Sequence, residues 1–382
     1  MKSRKVVWAL VGLAVLAVIA GGIYFQRSQV PIADTVNVGA ILPLTGSLAL
    51  IQDVLKGGME MAVDEINASG GINGRILRIV YQDNQGEPRK SVDAFQQLML
   101  REKPPIVISD HSPLSAPLRP LADQHRVLLV STIVSKPDFT KDFQYVIRDF
   151  VSSDLESKVL AEFMYSEKKV RRAAILYVAD DYGQGAYEAF KKAFEGMGGK
   201  VVAAEQFLQA ETSFRTILPR VYASRPDGLY LVGRERSFAT ALVQLRETKF
   251  SGTICTTISL NAKTVIDQAG NALEGVYFTN IDYFPDTPST EKMRLFVSTF
   301  QKRGGDPRNY ICVYGYDIIH YLAAAMREVG TDPARIKQNL RGKKLSLVRG
   351  EVVVPDTYDI QTPLVVAQVK DGRFVSVYSP RF

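Results

Sequence analysis

Apolar and polar positions along this chain follow two recurring periods. Short apolar runs bounded by Gly, Pro, Asn or Asp predict strands over 36–42, 75–82, 105–109, 127–131, 173–178, 200–205, 228–232, 252–256 and 275–279. Between them, apolar residues recur at helical spacing near 53–69, 88–102, 114–124, 154–167, 184–197, 213–224, 236–247, 289–303 and 312–329. The first unit shows the logic. Its apolar run stops at Pro43, and Thr45 with Gly46 forms a tight loop. Met59, Ala62, Val63 and Ile66 then share one helical face, with Lys56, Glu60, Asp64 and Glu65 mostly on the other. Gly70-Gly71 ends that helix, and Asn73-Gly74 turns the chain into the next strand. Such alternation predicts an α/β fold of mostly parallel, doubly wound sheets, which bind ligands beyond the carboxyl ends of their strands. The last segment, 349–382, reads instead as short strands around the turn Lys370-Asp371-Gly372-Arg373.

One apolar run belongs to neither period. From Val6 to Phe25 there is no charge, over about 20 residues, enough to cross a bilayer. Lys2, Arg4 and Lys5 precede it, which orients the N-terminus to the cytoplasm and exports the rest. Residues 1–29 therefore read as a membrane anchor, or as a signal cleaved near Val18-Ile19-Ala20. No Cys follows the run closely, which excludes a lipid anchor on cysteine; Cys255 and Cys312 alone are present and fit two buried thiols better than a bridge. The net charge of +7 shrinks in meaning once Lys2, Arg4, Lys5 and Arg27 are set aside, because the remaining Lys and Arg nearly balance the 40 Asp and Glu. Nucleic-acid binding is not indicated.

Candidate chemistry is sparse. The histidines are His111, His125 and His320, with no HExxH, no paired Cys spacing, no GxSxG, no P-loop and no GxGxxG in the first unit. No catalysis, metal or cofactor is expected. Asp180-Asp181 fits a turn and helix cap better than an acid pair. In the loop Asp110-His111-Ser112-Pro113-Leu114-Ser115, the hydroxyls lie just before a helix, where they suit either a plain cap or a carboxylate. Tyr182 reads as a surface or cleft aromatic. Arg234, after Leu231-Val232-Gly233, reads as a solvated loop charge or, near a cleft, a fork for a carboxylate.

The ordered string Pro43-Leu44-Thr45-Gly46, then 58–74 (GMEMAVDEINASGGING), then Gln82-Asp83 resembles the opening of periplasmic type I solute-binding proteins of the branched-chain amino acid (Leu/Ile/Val) family. Later markers extend the resemblance over nearly all of 36–380. They are 179–185 (ADDYGQG), Thr212-Ser213-Phe214, Arg225-Pro226-Asp227, 270–278 (GNALEGVYF), Gly315-Tyr316-Asp317 and 369–374 (VKDGRF). The resemblance implies two α/β lobes with a ligand cleft between them and three chain crossings. Lobe one would hold 36–150 and 278–345, lobe two 151–277 and 346–382. It also implies that Ser112 or Ser115, the main chain at Ile133, and Ser135 hold a ligand carboxylate, with Tyr182 on the cleft wall. Ile258 falls where the family has an acid for the ligand's amino group, and Ile51 where it has an aromatic wall. The expected ligand is therefore a small carboxylate that needs no free α-amino group. The implied role is an extracytoplasmic binding protein that closes on its solute and delivers it to an ABC-type permease; the alternative is a sensor acting on a separate membrane signalling partner.

Overall fold

A computed structural model of the chain describes residues 34–46 and 48–380. The anchor or signal expected over residues 1–29 lies outside the described residues. Among them, no helix is long and apolar enough to cross a membrane.

The chain builds one sheet, crosses to a second, returns, and crosses again. β1 (Thr35–Leu42), β2 (Ile76–Asp83), β3 (Ile106–Asp110), β4 (Leu128–Thr132) and β5 (Val146–Asp149) pair in parallel, in the spatial order β5-β4-β3-β1-β2. After a crossing at 150–152, β6 (Arg172–Val178), β7 (Lys200–Phe207), β8 (Gly228–Val232), β9 (Thr253–Thr256) and β10 (Tyr277–Ile281) form a second parallel sheet, ordered β10-β9-β8-β6-β7. The chain returns with helices Glu291–Lys302, Ile311–Val329 and Pro333–Leu340. The ribbon β11 (Lys344–Leu347) and β12 (Gly350–Val353) follows, and β13 (Asp359–Ile360) joins the first sheet beside β5. It crosses a third time at 361–363, and β14 (Leu364–Lys370) with β15 (Arg373–Tyr378) completes the second sheet antiparallel to β10. This is the two-lobed, doubly wound α/β architecture expected.

The lobe boundaries differ from those expected at 278 and 346. Every residue of β10 pairs with β14, from Tyr277 against Gln368 to Ile281 against Leu364, so the strand stays whole in lobe two. Asp359 and Ile360 pair with Arg148 and Asp149, which keeps the chain in lobe one until about residue 360. Two helices also differ. The one expected over 114–124 is two, Ser112–Ser115 and Leu118–His125, because Pro117 between them has no N–H to continue the ladder. The one expected over 213–224 starts only at Leu218. Upstream, the Glu211 carboxylate takes the amides of Thr212 and Ser213, and the Gln244 side chain takes that of Phe214.

Several residues of the opening string prove to be clasps. The Asn67 side chain exchanges two hydrogen bonds with the Leu77 backbone, at 2.8 and 2.9 Å, fixing the helix to β2. Asp83 at the end of β2 accepts from the amides of Leu44 and Thr45 and from the Thr45 hydroxyl, which holds the Pro43–Gly46 loop closed. In the β14–β15 hairpin Asp371 and Gly372 both have positive φ, 51° and 69°, the two-residue turn that matches strand twist. Glu274 accepts from both turn amides.

The crossings are tied together by buried charge. The Arg349 guanidinium donates to both oxygens of Asp149, at 2.7 and 2.8 Å, and lies 4.2 Å over the Tyr314 ring. Asp317 accepts from the amides of Val348 and Arg349; burial pushes its carboxyl up to about 6, against the pull of Arg349. Arg148, equally buried, donates to the Asp359 carboxylate and to the Lys136 carbonyl. The Ser152 amide donates to the Gln361 side chain at 3.0 Å, joining the first crossing to the third. Cys255 and Cys312 are both free, buried thiols.

Helices Ala49–Ala68 and Ile311–Val329 approach closely through glycine. A Cβ on Gly58 would lie 2.0 Å from the Cys312 carbonyl oxygen, whereas one on Gly196 would meet nothing within 4 Å. Gly58→Ala should therefore lower unfolding stability by about 1–3 kcal/mol. Gly196→Ala should raise it by roughly 0.4–1 kcal/mol through the unfolded chain. Urea denaturation of the two variants checks this; equal effects would contradict the close helix contact.

Candidate functional site

The carboxyl ends of the two sheets face each other across the crossings and enclose a cavity of about 600 Å³. In lobe one, β3 and β4 are each followed directly by a residue held in the left-handed region. His111 and Ile133 both have φ 52°. For a β-branched residue this is rare, and such strain costs on the order of 1–3 kcal/mol, retained only where the surroundings impose it. The two loops are bonded together by the Ser112 hydroxyl, which accepts from the Lys136 amide at 3.3 Å, and Ser112, Ile133 and Ser135 all line the cavity.

Ser115 does not line it. Its side chain is fully buried, its hydroxyl donates to the Asp110 carbonyl at 2.8 Å, and it pairs with Ser109, which pairs in turn with Ser131. The two serines differ in position: Ser112 lies at the cavity wall and Ser115 braces the loop from behind. Asp110 is buried, with one oxygen 2.8 Å from Nδ1 of His111 and the other without a partner among the described residues. His111 itself lines the cavity.

In lobe two, Asp180 caps the helix Asp181–Gly196 by accepting from the Gly183 amide, as expected for that position. Its second oxygen accepts from Arg234 at 2.8 Å. The Arg234 guanidinium lies 4.5 Å over the Tyr182 ring, and the Tyr182 hydroxyl pairs with Thr257 at 2.8 Å. Arg234 is therefore oriented at the cavity wall and ion-paired, neither a free loop charge nor an unpaired fork. Ile51, Tyr182, Arg234 and Ile258 all line the cavity. Lys136 of lobe one reaches Asp181 of lobe two at 3.2 Å, spanning the lobes beside the cavity.

Glu156 is the functional candidate that the sequence reading missed. It sits on the helix Ser153–Glu162, lines the cavity, and is 1 % exposed. Its Oε1 accepts from the Ile258 amide at 2.9 Å and from the Thr279 hydroxyl at 2.6 Å. Burial pushes its carboxyl up to about 7, further than those two donors pull it down. Ile258 thus has no acid of its own, yet its backbone holds one from another helix. The available signal was register: Glu156 stands three and four residues before Val159 and Leu160, on the buried face of its helix.

Two doubly wound lobes, three crossings and a cavity lined by hydroxyls and apolar walls define the architecture of a type I periplasmic binding protein. Residues 35–373 match the family model described as periplasmic binding protein, and the chain belongs to that family. It is 22% identical to the leucine-, isoleucine-, valine-, threonine- and alanine-binding protein of Pseudomonas aeruginosa, covering 86% of this chain and 88% of that one. It is 23% identical to the Leu/Ile/Val-binding protein of Escherichia coli, covering 90% and 93%. Among solved structures, it superposes on a branched-chain amino acid transporter substrate-binding protein of Streptococcus pneumoniae in complex with isoleucine. That match has a TM-score of 0.82 at 21% identity, over 91% of this chain and 99% of that one. It also superposes on an ABC transporter solute-binding protein of R. palustris in complex with 4-hydroxybenzoate, with a TM-score of 0.81 at 23% identity, over 91% and 97%. These relatives are binding proteins, not enzymes.

Glu156 makes stability depend on pH in a definite direction. An exposed Glu releases its proton near 4.5, whereas the folded protein holds this one to about 7. Its contribution is fully present below about 4.5 and is lost as pH rises through about 7, a change on the order of 3 kcal/mol. Glu156→Gln should accordingly gain stability relative to wild type between pH 4.5 and 8. Denaturation midpoints that move in parallel across that range would contradict a buried, proton-holding Glu156.

Proposed function

We propose that this protein captures a small, carboxylate-bearing organic solute outside the cytoplasm by closing its lobes, and delivers it to an ABC-type membrane permease. The observation that carries this reading is the distribution of polar groups around the cavity. Hydroxyls and strained backbone at the ends of β3 and β4 lie on the lobe-one side, an oriented arginine lies on the other, and much of the remaining wall is apolar: Leu48, Ile51, Phe150, Ile258 and Ile311. Such a site suits an anion with a hydrophobic body. The ligands named for the solved relatives, isoleucine and 4-hydroxybenzoate, differ in their bodies and share the carboxylate. In this reading Ser112, Ser135 and the main chain at Ile133 receive the carboxylate, Tyr182 and Ile51 flank the body, and Arg234 meets the anion as the lobes close. The uncharged run 6–25 would keep the protein at the outer face of the membrane if it stays uncleaved.

Calorimetry with benzoate, 4-hydroxybenzoate, leucine and their amide counterparts tests the reading. At least one carboxylate should bind and its amide should not. Arg234→Ala should cost about 2–5 kcal/mol of that binding, the range for truncating one partner of a buried charge pair. A loss below about 1 kcal/mol would mean that Arg234 remains solvated in the complex. Amides that bind as well as their acids would overturn the carboxylate assignment.

A further inference from the structure

We propose that Glu156 determines the specificity of the cleft as a neutral, protonated acid, so that the site admits a carboxylate solute without a cationic group and takes up a proton from solvent as it binds. The inference rests on the carboxylate reading above.

The first support is geometric. Oε1 already receives two hydrogen bonds, from Ile258 and Thr279, while Oε2 has no protein partner among the described residues. Since Glu156 is buried and lines the cavity, Oε2 is the atom left to carry a proton and to meet a ligand hydroxyl or carbonyl.

The second is the absence of compensating charge. No basic side chain forms an ion pair with Glu156 among the described residues. On its own helix, Asp154 is turned to Lys158 at 3.1 Å, and Ser157 pairs with the Tyr230 hydroxyl. Its other titratable neighbours are the hydroxyls of Tyr182, Tyr230, Tyr310 and Tyr314, all with their pKa pushed up by burial and therefore neutral. Of the basic side chains at the cavity wall, Arg234 is engaged with Asp180 and Lys136 with Asp181, while Nδ1 of His111 is bonded to Asp110. A ligand carboxylate entering this cavity would face a second, uncompensated carboxylate unless Glu156 keeps its proton, because two such groups sharing one site cannot both ionise. Burial already favours the neutral form, and an incoming anion favours it further.

The consequence is a signed pH dependence. Benzoate binding to the full-length protein, measured by calorimetry from pH 5.5 to 8.5 in two buffers of different ionisation enthalpy, should be steady at low pH. Above about 7 it should weaken toward tenfold per pH unit, with uptake approaching one proton. Glu156→Gln should lose that slope and, at pH 8.5, bind benzoate more tightly than wild type by roughly tenfold. His111 also lines the cavity, so His111→Gln is the control: its slope must persist if Glu156 is the source. If Glu156→Gln does not fold, the wild-type and His111→Gln profiles together still decide. Benzoate or 4-hydroxybenzoate binding with no pH slope would overturn this proposal alone. So would leucine binding more tightly than 4-methylpentanoate and failing in Glu156→Gln, since Glu156 would then be an ionised anchor for ammonium. No carboxylate binding at any pH would overturn the carboxylate reading and this proposal together.

Discussion

The buried contact between Arg349 and Asp149 is the constraint on which the two-lobed arrangement depends. Asp149 is the last residue of β5, immediately before the first crossing, and Arg349 comes from the returning segment 200 residues away in sequence. Neither side chain has measurable exposure. Burying such a pair adds little net stability over an apolar contact, but leaving one member alone costs several kcal/mol, so few competing arrangements of these segments are tolerated. Asp317 and Tyr314 extend the contact into the long helix Ile311–Val329, and the Tyr314 hydroxyl donates to Thr362 in the third crossing. Arg148 and Asp359 repeat the device one residue earlier. The crossings are therefore short segments held at fixed ends, which is what a hinge requires.

That rigidity places the polar chemistry of the cleft. Because β3 and β4 are central, fully buried strands, the strain at His111 and Ile133 is held by the sheet behind them. Ser115, Ser109 and Ser131 form a hydroxyl chain beneath these loops, so Ser112 and Ser135 remain at the cavity. On the opposite lobe, Asp180 serves both helix cap and Arg234, which fixes the arginine over Tyr182. Each lobe thus presents one braced side of the cavity; in the proposed function, closure brings the two sides together on the solute.

Much of this was legible in the sequence, for identifiable reasons. Runs such as 228–232 and 36–42 appear as strands because a parallel strand buried on both faces is continuously apolar. β5 and β13 escaped notice because they are short and end in charges, Arg148, Asp149 and Asp359, whose burial makes sense only once their partners are known. The lobe boundaries depend on β10 pairing with β14, a contact across about ninety residues that no local pattern encodes. The residues that carried the family resemblance, Asn67, Asp83, Glu274 and Asp317, turned out to brace loops and crossings, which is why they could identify the fold without identifying the ligand. Glu156 was invisible for the opposite reason. Its partners, Ile258 and Thr279, lie 102 and 123 residues away, and only the folded sheet brings them to it.

The central claim is that solute binding closes the two lobes on the cleft, and an interlobe distance measures it most directly. Leu50 and Leu208 are exposed on opposite lobes, each next to a residue that lines the cavity, and both native cysteines are buried away from label. Spin labels on cysteines introduced at those two positions report the gap by pulsed electron paramagnetic resonance. Saturation with a bound carboxylate should shift the distance distribution to shorter values and narrow it. A distribution unchanged by a ligand that calorimetry shows to be bound would contradict the clamp.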